Sequence, residues 1–264
     1  MTEPRDSWLR RILAALLGHP RVQVMRVRYH PQIAFFKARL SPGDYLGLQL
    51  TLGAAGLLGA SWLFGGIAED VVTGDPLTLV DAQVAQWLHL RATPRLTQLM
   101  LVFTNVHSPW PVFLAVVLLT AWLAWKRDWY WLICVSITVP LGMLLNILMK
   151  YAFQRARPSF DDPLVVLTTY SFPSGHVAGS TLFYGVVAAM LMPRIASWNG
   201  RAAVGSLAIM LVALVALTRL YLGAHYLSDV LAAFAEGVAW LALCLTGMNT
   251  YWQHRAARAS TPKN

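Results

Sequence analysis

Long apolar blocks alternate with short polar connectors along most of the chain. Six of these blocks approach the roughly 20 residues that an α-helix needs to cross a bilayer. None carries the polar stripe that a soluble amphipathic helix would show. The predicted spans cover residues 45–68, 110–125, 129–149, 175–192, 202–217 and 227–246. The pattern therefore predicts an all-α, polytopic membrane protein built as a bundle of six transmembrane helices.

Shorter apolar patterns predict helices that lie on the membrane surface. From Trp8 to Leu17, apolar residues recur at helical spacing around two arginines, which is typical of an interfacial helix, although a poorly ordered tail would also fit. Residues 79–88 predict a second surface helix on the outer, periplasmic side. Residues 96–106 are apolar but too short to cross, so we expect a partly embedded segment there.

The distribution of charge predicts the orientation. The net charge is +9, and charged residues make up 12% of the chain. The basic residues are dispersed among connectors, which argues against nucleic acid as a partner. With six spans, 15 of the 21 Lys and Arg residues fall on one side, and the positive-inside rule makes that side cytoplasmic. We expect a basic cytoplasmic segment 1–44, a six-span domain 45–246 and a basic cytoplasmic tail 247–264.

Three polar stretches should then emerge together on the outer side, at residues 150–158, 173–176 and 218–229. Lys150, Arg157 and Arg219 lie near the ends of apolar helices, where an isolated charge is costly. They outnumber the obvious nearby acid, and such an excess of positive charge suits a bound anion such as phosphate.

The polar side chains of these stretches fit phosphoryl transfer. Ser174 and Gly175 open a helix, whose free N–H groups favour an anion. His225 and Asp229 are four residues apart, so a carboxylate can fix the imidazole tautomer and leave the other nitrogen to attack. His176 can give a proton to the leaving oxygen. The set predicts a phosphoryl-transfer site that needs no metal.

The spacing of these residues resembles the three motifs of the type 2 phosphatidic acid phosphatase superfamily. The matching positions are Lys150 with Arg157 and Pro158, then Pro173, Ser174, Gly175 and His176, then Arg219, His225 and Asp229. One departure is Thr218, where the family usually has serine, but both residues carry a hydroxyl.

The resemblance implies roles for these residues. His225 would be the nucleophile that forms a phosphohistidine, Asp229 would orient it, and His176 would protonate the leaving alkoxide. The phosphate ligands would be Lys150, Arg157, Ser174, Gly175 and Arg219. No cofactor or metal would be needed, and water would release inorganic phosphate. The substrate would be a lipid phosphate at the outer face of a bacterial inner membrane, with its tail between the spans.

The residues leave several alternatives open. Undecaprenyl diphosphate, phosphatidylglycerol phosphate and phosphatidic acid are all candidate substrates, because the motifs recognise only phosphate. A phosphotransferase would use the same phosphohistidine with a lipid or sugar acceptor. A transporter of anionic lipids would need the cations but not the two histidines. The sequence does not specify the oligomeric state.

Each of the other ionisable residues has two possible roles. Glu236, inside a span, is either functional or hydrogen-bonded to another span. His107 lines the mouth of the site or sits at the interface. Asp161 and Asp162 tune the head group or are solvated loop acids.

Overall fold

The computed structural model describes residues 24, 27–31 and 47–260, with side chains to residue 255. The chain divides into two compact units, residues 1–52 and 53–264. The predicted surface helix between Trp8 and Leu17 lies outside the described residues, as does the predicted start of the first span at Tyr45.

Eight α-helices follow one another from residue 48 onward. They are α1 Leu48–Thr73, α2 Pro76–His89, α3 Pro94–Val106, α4 Pro109–Trp125, α5 Trp129–Phe153, α6 Gly175–Leu191, α7 Trp198–Tyr221 and α8 Leu227–Ser260. Six helical segments of the described chain are long and apolar enough to cross a membrane. The prediction of an all-α protein with six spans is therefore confirmed.

Two elements differ in extent from their prediction. The segment predicted to be partly embedded forms α3, and only His107 and Ser108 separate it from α4, so the second candidate span covers Pro94–Trp125. Helix α8 continues to Ser260, so the first part of the predicted tail is helical.

Helix α6 lies at the centre of the bundle and packs against α4, α5, α7 and α8. One apolar cluster joins Leu182 and Val186 of α6 to the buried faces of α4, α5 and α8. A second joins Val177 and Ala178 to α7 and α8. At Gly237 of α8, a Cβ would lie 2.7 Å from Thr181 Cγ2, so the close approach of α8 to α6 requires glycine. Two of the three apolar clusters among the described residues thus include α6.

The outer surface of the bundle is apolar as well. Large side chains such as Trp62, Leu118 and Ile209 are exposed by 82%, 62% and 64%. An apolar exterior of this extent is what contact with lipid tails requires, because water would penalise it. The protein is accordingly a multi-pass membrane protein.

One end of the bundle brings the three motifs together. Helix α5 ends and α6 begins there, linked by residues 154–174, and the turn between α7 and α8 lies beside them. That turn contains Gly223 at φ +63, where a Cβ would also lie 2.7 Å from Phe160. At the opposite end, Arg194 and Asp128 form an ion pair of 2.7 Å. The polar ends of four helices therefore form one site.

Candidate active site

The turn between α7 and α8 positions His225 against Asp229. The backbone N–H of His225 donates to the carbonyl of Arg219 at 3.3 Å. Its Nδ1 lies 3.4 Å from Asp229 Oδ2, somewhat beyond a well-formed hydrogen bond. The two side chains are 2% and 0% exposed. The pair is thus shielded from water and oriented by the chain itself.

The other ring nitrogen of His225 faces a cation. Its Nε2 lies 3.3 Å from Arg157 Nη1, which can only donate, so Nε2 is the acceptor and the proton resides on Nδ1. Burial lowers the pKa of His225 to about 3, and the nearby Arg219 and Arg157 add to this against the opposing influence of Asp229. The imidazole is therefore neutral at physiological pH, with its Nε2 lone pair on the side of the arginine.

The Asp229 carboxylate is enclosed by donors. Its Oδ2 accepts the Tyr226 N–H at 2.8 Å and the Ser171 hydroxyl. Its Oδ1 accepts Arg155 Nη1 at 2.7 Å. Its backbone carbonyl accepts the Ser174 N–H at 3.0 Å. Asp229, in the third motif, therefore contacts Arg155 in the first polar stretch, Ser171 just before the second motif and Ser174 within it.

Lys150 holds the segment that leads into α6. Its ammonium group donates to the carbonyls of Tyr170 at 3.0 Å, Ser171 at 3.3 Å and Pro173 at 2.6 Å. An ammonium has three hydrogens, so these contacts use its full donor capacity. In this structure Lys150 shapes the backbone in front of the second motif.

The two arginines of the motifs differ in their partners. Arg157 donates to Thr169, Tyr170 and Ala224 besides facing His225. Arg219, only 4% exposed, donates from Nη1 to Thr104 Oγ1 at 3.0 Å. Its Nε has no hydrogen-bond partner among the described residues. Arg219 thus keeps a buried donor that a further acceptor could use.

The start of α6 presents the second motif to the same space. Ser174 is fully buried, and its Oγ has no partner within the described part of the chain. A Cβ on Gly175 would lie 3.3 Å from Asn146 Oδ1, so glycine keeps this corner open. His176 is partly exposed and interacts electrostatically with the three motif cations and with His225. The structure thus brings all eight predicted site residues to one end of the bundle.

Sequence reasoning missed two charged residues that contact Asp229 or its neighbour. Arg155 was counted only as one of the basic residues outside the cytoplasmic segments, although it lies between Lys150 and Arg157. Asp81, fully buried on α2, was not considered. Burial alone would lower the pKa of Arg155, but Asp229 and Asp81 outweigh it and raise that pKa. The sequence feature that could have drawn attention to Asp81 is its position as a lone acid within the otherwise uncharged amphipathic helix α2.

Three of the remaining open residues, Glu236, His107 and Asp162, have defined partners. Glu236 Oε2 accepts from Asn146 Nδ2 of α5 at 2.8 Å, which is the expected alternative of a bond to another span. His107, 7% exposed, contacts Phe103 O at 2.9 Å and Tyr184 Oη at 2.7 Å. Asp162 is exposed and bonds to His89 at 2.9 Å, a contact that lowers its pKa.

Two cavities adjoin the site. An apolar cavity of about 430 Å³ lies between α4, α5 and α6 and reaches Gly175, with Val116, Met143 and Gly179 in its wall. A larger, more polar groove of about 690 Å³ lies between α2 and the 158–162 segment and reaches Tyr226. The site therefore borders an apolar chamber on one side and a polar one on another.

No group of three or more His, Cys, Asp or Glu side chains that could hold a metal ion occurs among the described residues. The charged groups gathered near His176 and His225 are instead three cations and one carboxylate, with Arg155 and Asp81 behind them.

Comparisons with known proteins show which proteins this chain resembles. Residues 129–253 match the family model of the PAP2 superfamily. Over 96 residues the chain is 36% identical to phosphatidylglycerophosphatase B of Bacillus subtilis, which is 36% of this chain and 47% of that protein. The match thus spans about half the length of that relative.

Solved structures extend the likeness beyond the matched segment. A transmembrane PAP2-type phosphatidylglycerolphosphate phosphatase from Bacillus subtilis superposes with a TM-score of 0.66 at 26% identity, over 72% of this chain and 94% of that one. Aquifex aeolicus LpxE superposes with a TM-score of 0.51 at 20% identity, over 63% and 94% of the two chains, which shows a shared fold alone. The resemblance found in the three motifs is confirmed by the match of residues 129–253 to the PAP2 superfamily model and by the similarity to these phosphatases.

Proposed function

We propose that this protein is a membrane phosphatase that removes phosphate from a lipid phosphate or a lipid diphosphate. The observation that carries the proposal is the buried imidazole of His225, held between Asp229 Oδ2 at 3.4 Å and Arg157 Nη1 at 3.3 Å. A neutral imidazole with an oriented lone pair beside a cation is suited to attack a phosphoryl group. The similarity to a phosphatidylglycerophosphatase supports the same reaction class.

The first half-reaction transfers the phosphoryl group to His225. The Nε2 lone pair forms a bond to phosphorus while the bond from phosphorus to the leaving oxygen breaks. When the bound phosphate anion offsets the neighbouring cations, His176 carries a proton and gives it to that oxygen, so the lipid leaves as a neutral alcohol, or as a monophosphate when the substrate is a diphosphate. The ring of His225 becomes positively charged, and the Asp229 carboxylate stabilises that charge.

The second half-reaction returns His225 to its starting state. A water oxygen attacks phosphorus, His176 takes up a proton from that water, and the bond between Nε2 and phosphorus breaks. Inorganic phosphate leaves, and His176 is again protonated for the next turnover.

The phosphate charge is met by protein cations in this mechanism. Lys150, Arg157 and Arg219 surround His176, and the first turn of α6 adds its N–H groups. Arg219 offers a donor directly, whereas Arg157 exchanges its carbonyl partners and His225 Nε2 for phosphate oxygens, which frees the Nε2 lone pair for attack. These positive groups stabilise the charge that builds up in phosphoryl transfer, so we expect the reaction to proceed without a metal ion.

The lipid part of the substrate has a natural place beside the phosphate. The apolar cavity reaches Gly175, which also lies in the second motif, and it extends between α4, α5 and α6. A hydrocarbon chain in this cavity would leave its phosphate at the start of α6.

We further propose that the site faces the periplasm of a bacterial inner membrane. The charge bias assigns residues 1–44 and 247–264 to the cytoplasm as basic flanks, with residues 45–246 as the phosphatase domain between them. The 126–128 connector and the 158–162 segment then lie on opposite sides of the membrane.

Replacing the nucleophile tests the mechanism. We expect His225→Asn to lower the kcat for phosphate release by about 10³-fold or more, because no other group can form the covalent intermediate. The assay uses purified protein in detergent, a panel of lipid phosphates and a metal chelator. His254→Asn, an exposed histidine near the end of α8, is the matched control and should retain wild-type turnover.

Wild-type turnover in His225→Asn would refute the nucleophile assignment, and loss of wild-type activity in the chelator would refute metal independence. Phosphate that appears on an added lipid or sugar instead of in solution would favour the phosphotransferase. Binding of the lipid without turnover by the wild type would favour a transporter.

The proton donor is tested through the leaving group. We expect His176→Gln to slow phosphorylation by an alkyl lipid phosphate by about 10²- to 10⁴-fold, the usual contribution of a general acid. With p-nitrophenyl phosphate, whose leaving group needs no proton, the initial burst of nitrophenol should remain close to wild type and then stall. Equal losses of the burst with both substrates would show that His176 is not the acid.

Filling the apolar cavity tests the tail site. We expect Gly179→Leu to lower kcat/KM for a long-chain lipid phosphate by about tenfold or more, since pocket shape commonly discriminates by this amount. Hydrolysis of p-nitrophenyl phosphate should be unaffected. Gly59→Leu, where a Cβ meets nothing within 4 Å, is the control. A parallel loss with both substrates would contradict a tail site here.

Accessibility labelling tests the orientation. In a background without Cys134 and Cys244, we expect Asp161→Cys to react with a membrane-impermeant thiol reagent in intact spheroplasts. Lys126→Cys should react only after permeabilisation. The reverse pattern would invert the topology, and reaction of both in intact spheroplasts would contradict placement on opposite sides.

A further inference from the structure

A buried ion network lies behind the pair of His225 and Asp229. Arg155 donates from Nη1 to Asp229 Oδ1 at 2.7 Å and from Nη2 to Asp81 Oδ2 at 2.8 Å. Its side chain is 14% exposed, and both carboxylates are 0% exposed. Such a guanidinium fork between two buried acids holds both in a fixed geometry.

Asp81 connects this network to the first turn of α8. Its Oδ1 accepts the Ser228 N–H at 2.8 Å, and its Oδ2 accepts the Ser228 hydroxyl. Ser228 also receives Arg155 Nη1 at 2.6 Å. A carboxylate from α2 therefore satisfies a free N–H at the start of α8, next to Asp229.

The contacts fix which oxygen of Asp229 faces the imidazole. Oδ1 is held by Arg155, whose guanidinium also lies 4.4 Å from the ring centre of Tyr226. Oδ2 is held by Ser171 and by the Tyr226 N–H, and it faces His225. With both oxygens constrained, the carboxylate cannot turn away from Nδ1.

The network also sets the local charge. A single arginine paired with Asp229 would cancel the negative charge that the imidazole needs when it is phosphorylated. Asp81 shares the same guanidinium, so Arg155, Asp81 and Asp229 together keep one negative charge. The carboxylate is thus oriented by a cation and yet remains electrostatically negative toward His225.

We propose that Arg155 and Asp81 are positioning residues for His225, in which Arg155 fixes the orientation of the Asp229 carboxylate and Asp81 preserves its negative charge. The proposal rests on the proposed function and deepens it. It assigns a role to α2, which contributes none of the eight residues of the three motifs.

The pH dependence distinguishes this role from a structural anchor. The charged or titratable groups that face His225 are Asp229 of α8, Arg157, Arg219 of α7 and His176 of α6. Removing the Arg155 charge nearby stabilises the imidazolium, so the acid limb of kcat/KM moves to higher pH. Removing the Asp81 charge has the opposite effect. It destabilises the imidazolium of His225, so the acid limb of kcat/KM moves to lower pH or below the measurable pH range.

The test compares four variants with two controls. We expect Arg155→Gln to lower kcat by about 10- to 100-fold with little change in KM, as loss of an orienting partner commonly does. Arg155→Lys should be intermediate, because it keeps the charge without the fork. Asp81→Asn should also lower kcat, and the double variant Arg155→Gln with Asp81→Asn should recover part of the loss of Arg155→Gln.

The controls make the same charge changes at exposed positions beside α2. Arg91→Gln and Asp75→Asn should match the wild type in kcat and in pH profile, with all rates normalised to folded protein by thermal unfolding in detergent. Wild-type kcat in Arg155→Gln and Asp81→Asn, or lower kcat with an unmoved acid limb, would overturn the proposal. If Arg155→Gln does not fold, Arg155→Lys and Asp81→Asn decide on the same readouts.

Failure of the proposed function would appear separately. In that case the wild type releases no phosphate, or His225→Asn releases it at the wild-type rate, whatever the Arg155 variants do.

Discussion

The burial of the Asp229 carboxylate is the constraint on which the site depends. A carboxylate with no exposed surface is costly unless donors surround it. Its donors come from Arg155 after α5, from Ser171 before α6 and from the backbone of Tyr226 at the start of α8. Because one buried charge needs all three, the ends of these helices must meet for it to be tolerated. Removing a partner of such a charge typically costs about 3–5 kcal/mol, so the same contacts that orient the site also stabilise the fold.

The three motif cations are not equivalent once the site is assembled. Lys150 donates its hydrogens to three backbone carbonyls, whereas the buried Nε of Arg219 has no hydrogen-bond partner among the described residues. Arg157 lies between these cases, since its donors hold the 169–170 backbone and also reach His225. The three cations therefore have different roles although their charges are equal. Lys150 holds the loop before α6, whereas the two arginines lie where negative charge would build up on a bound phosphate. The sequence alone, which sees three similar cations, cannot separate these roles.

What the sequence could predict follows from which forces are local. The six spans were predictable because bilayer thickness sets a minimum apolar length that hydropathy detects directly. The meeting of the three motifs followed from span parity. Asp81 could have been singled out as a lone acid, but its pairing with Arg155 was not predictable, because the two residues are 74 positions apart and only packing of α2 brings them together. The extent of α8 beyond residue 246 was missed for a related reason, since helix propensity continues where the apolar pattern ends.

Helix α6 couples the polar chemistry to the apolar environment. Ser174 is its N-cap residue, its first turn carries Gly175 and His176, and its next turn carries Gly179 in the wall of the apolar cavity. One helix turn is about 5.4 Å, so the phosphate and the first methylenes of a lipid can be held by successive turns of the same rigid element. Small residues at both positions keep the backbone close to the substrate. The proposed reaction at the lipid–water boundary needs this arrangement, because the leaving oxygen would lie where the polar and apolar parts of the substrate join.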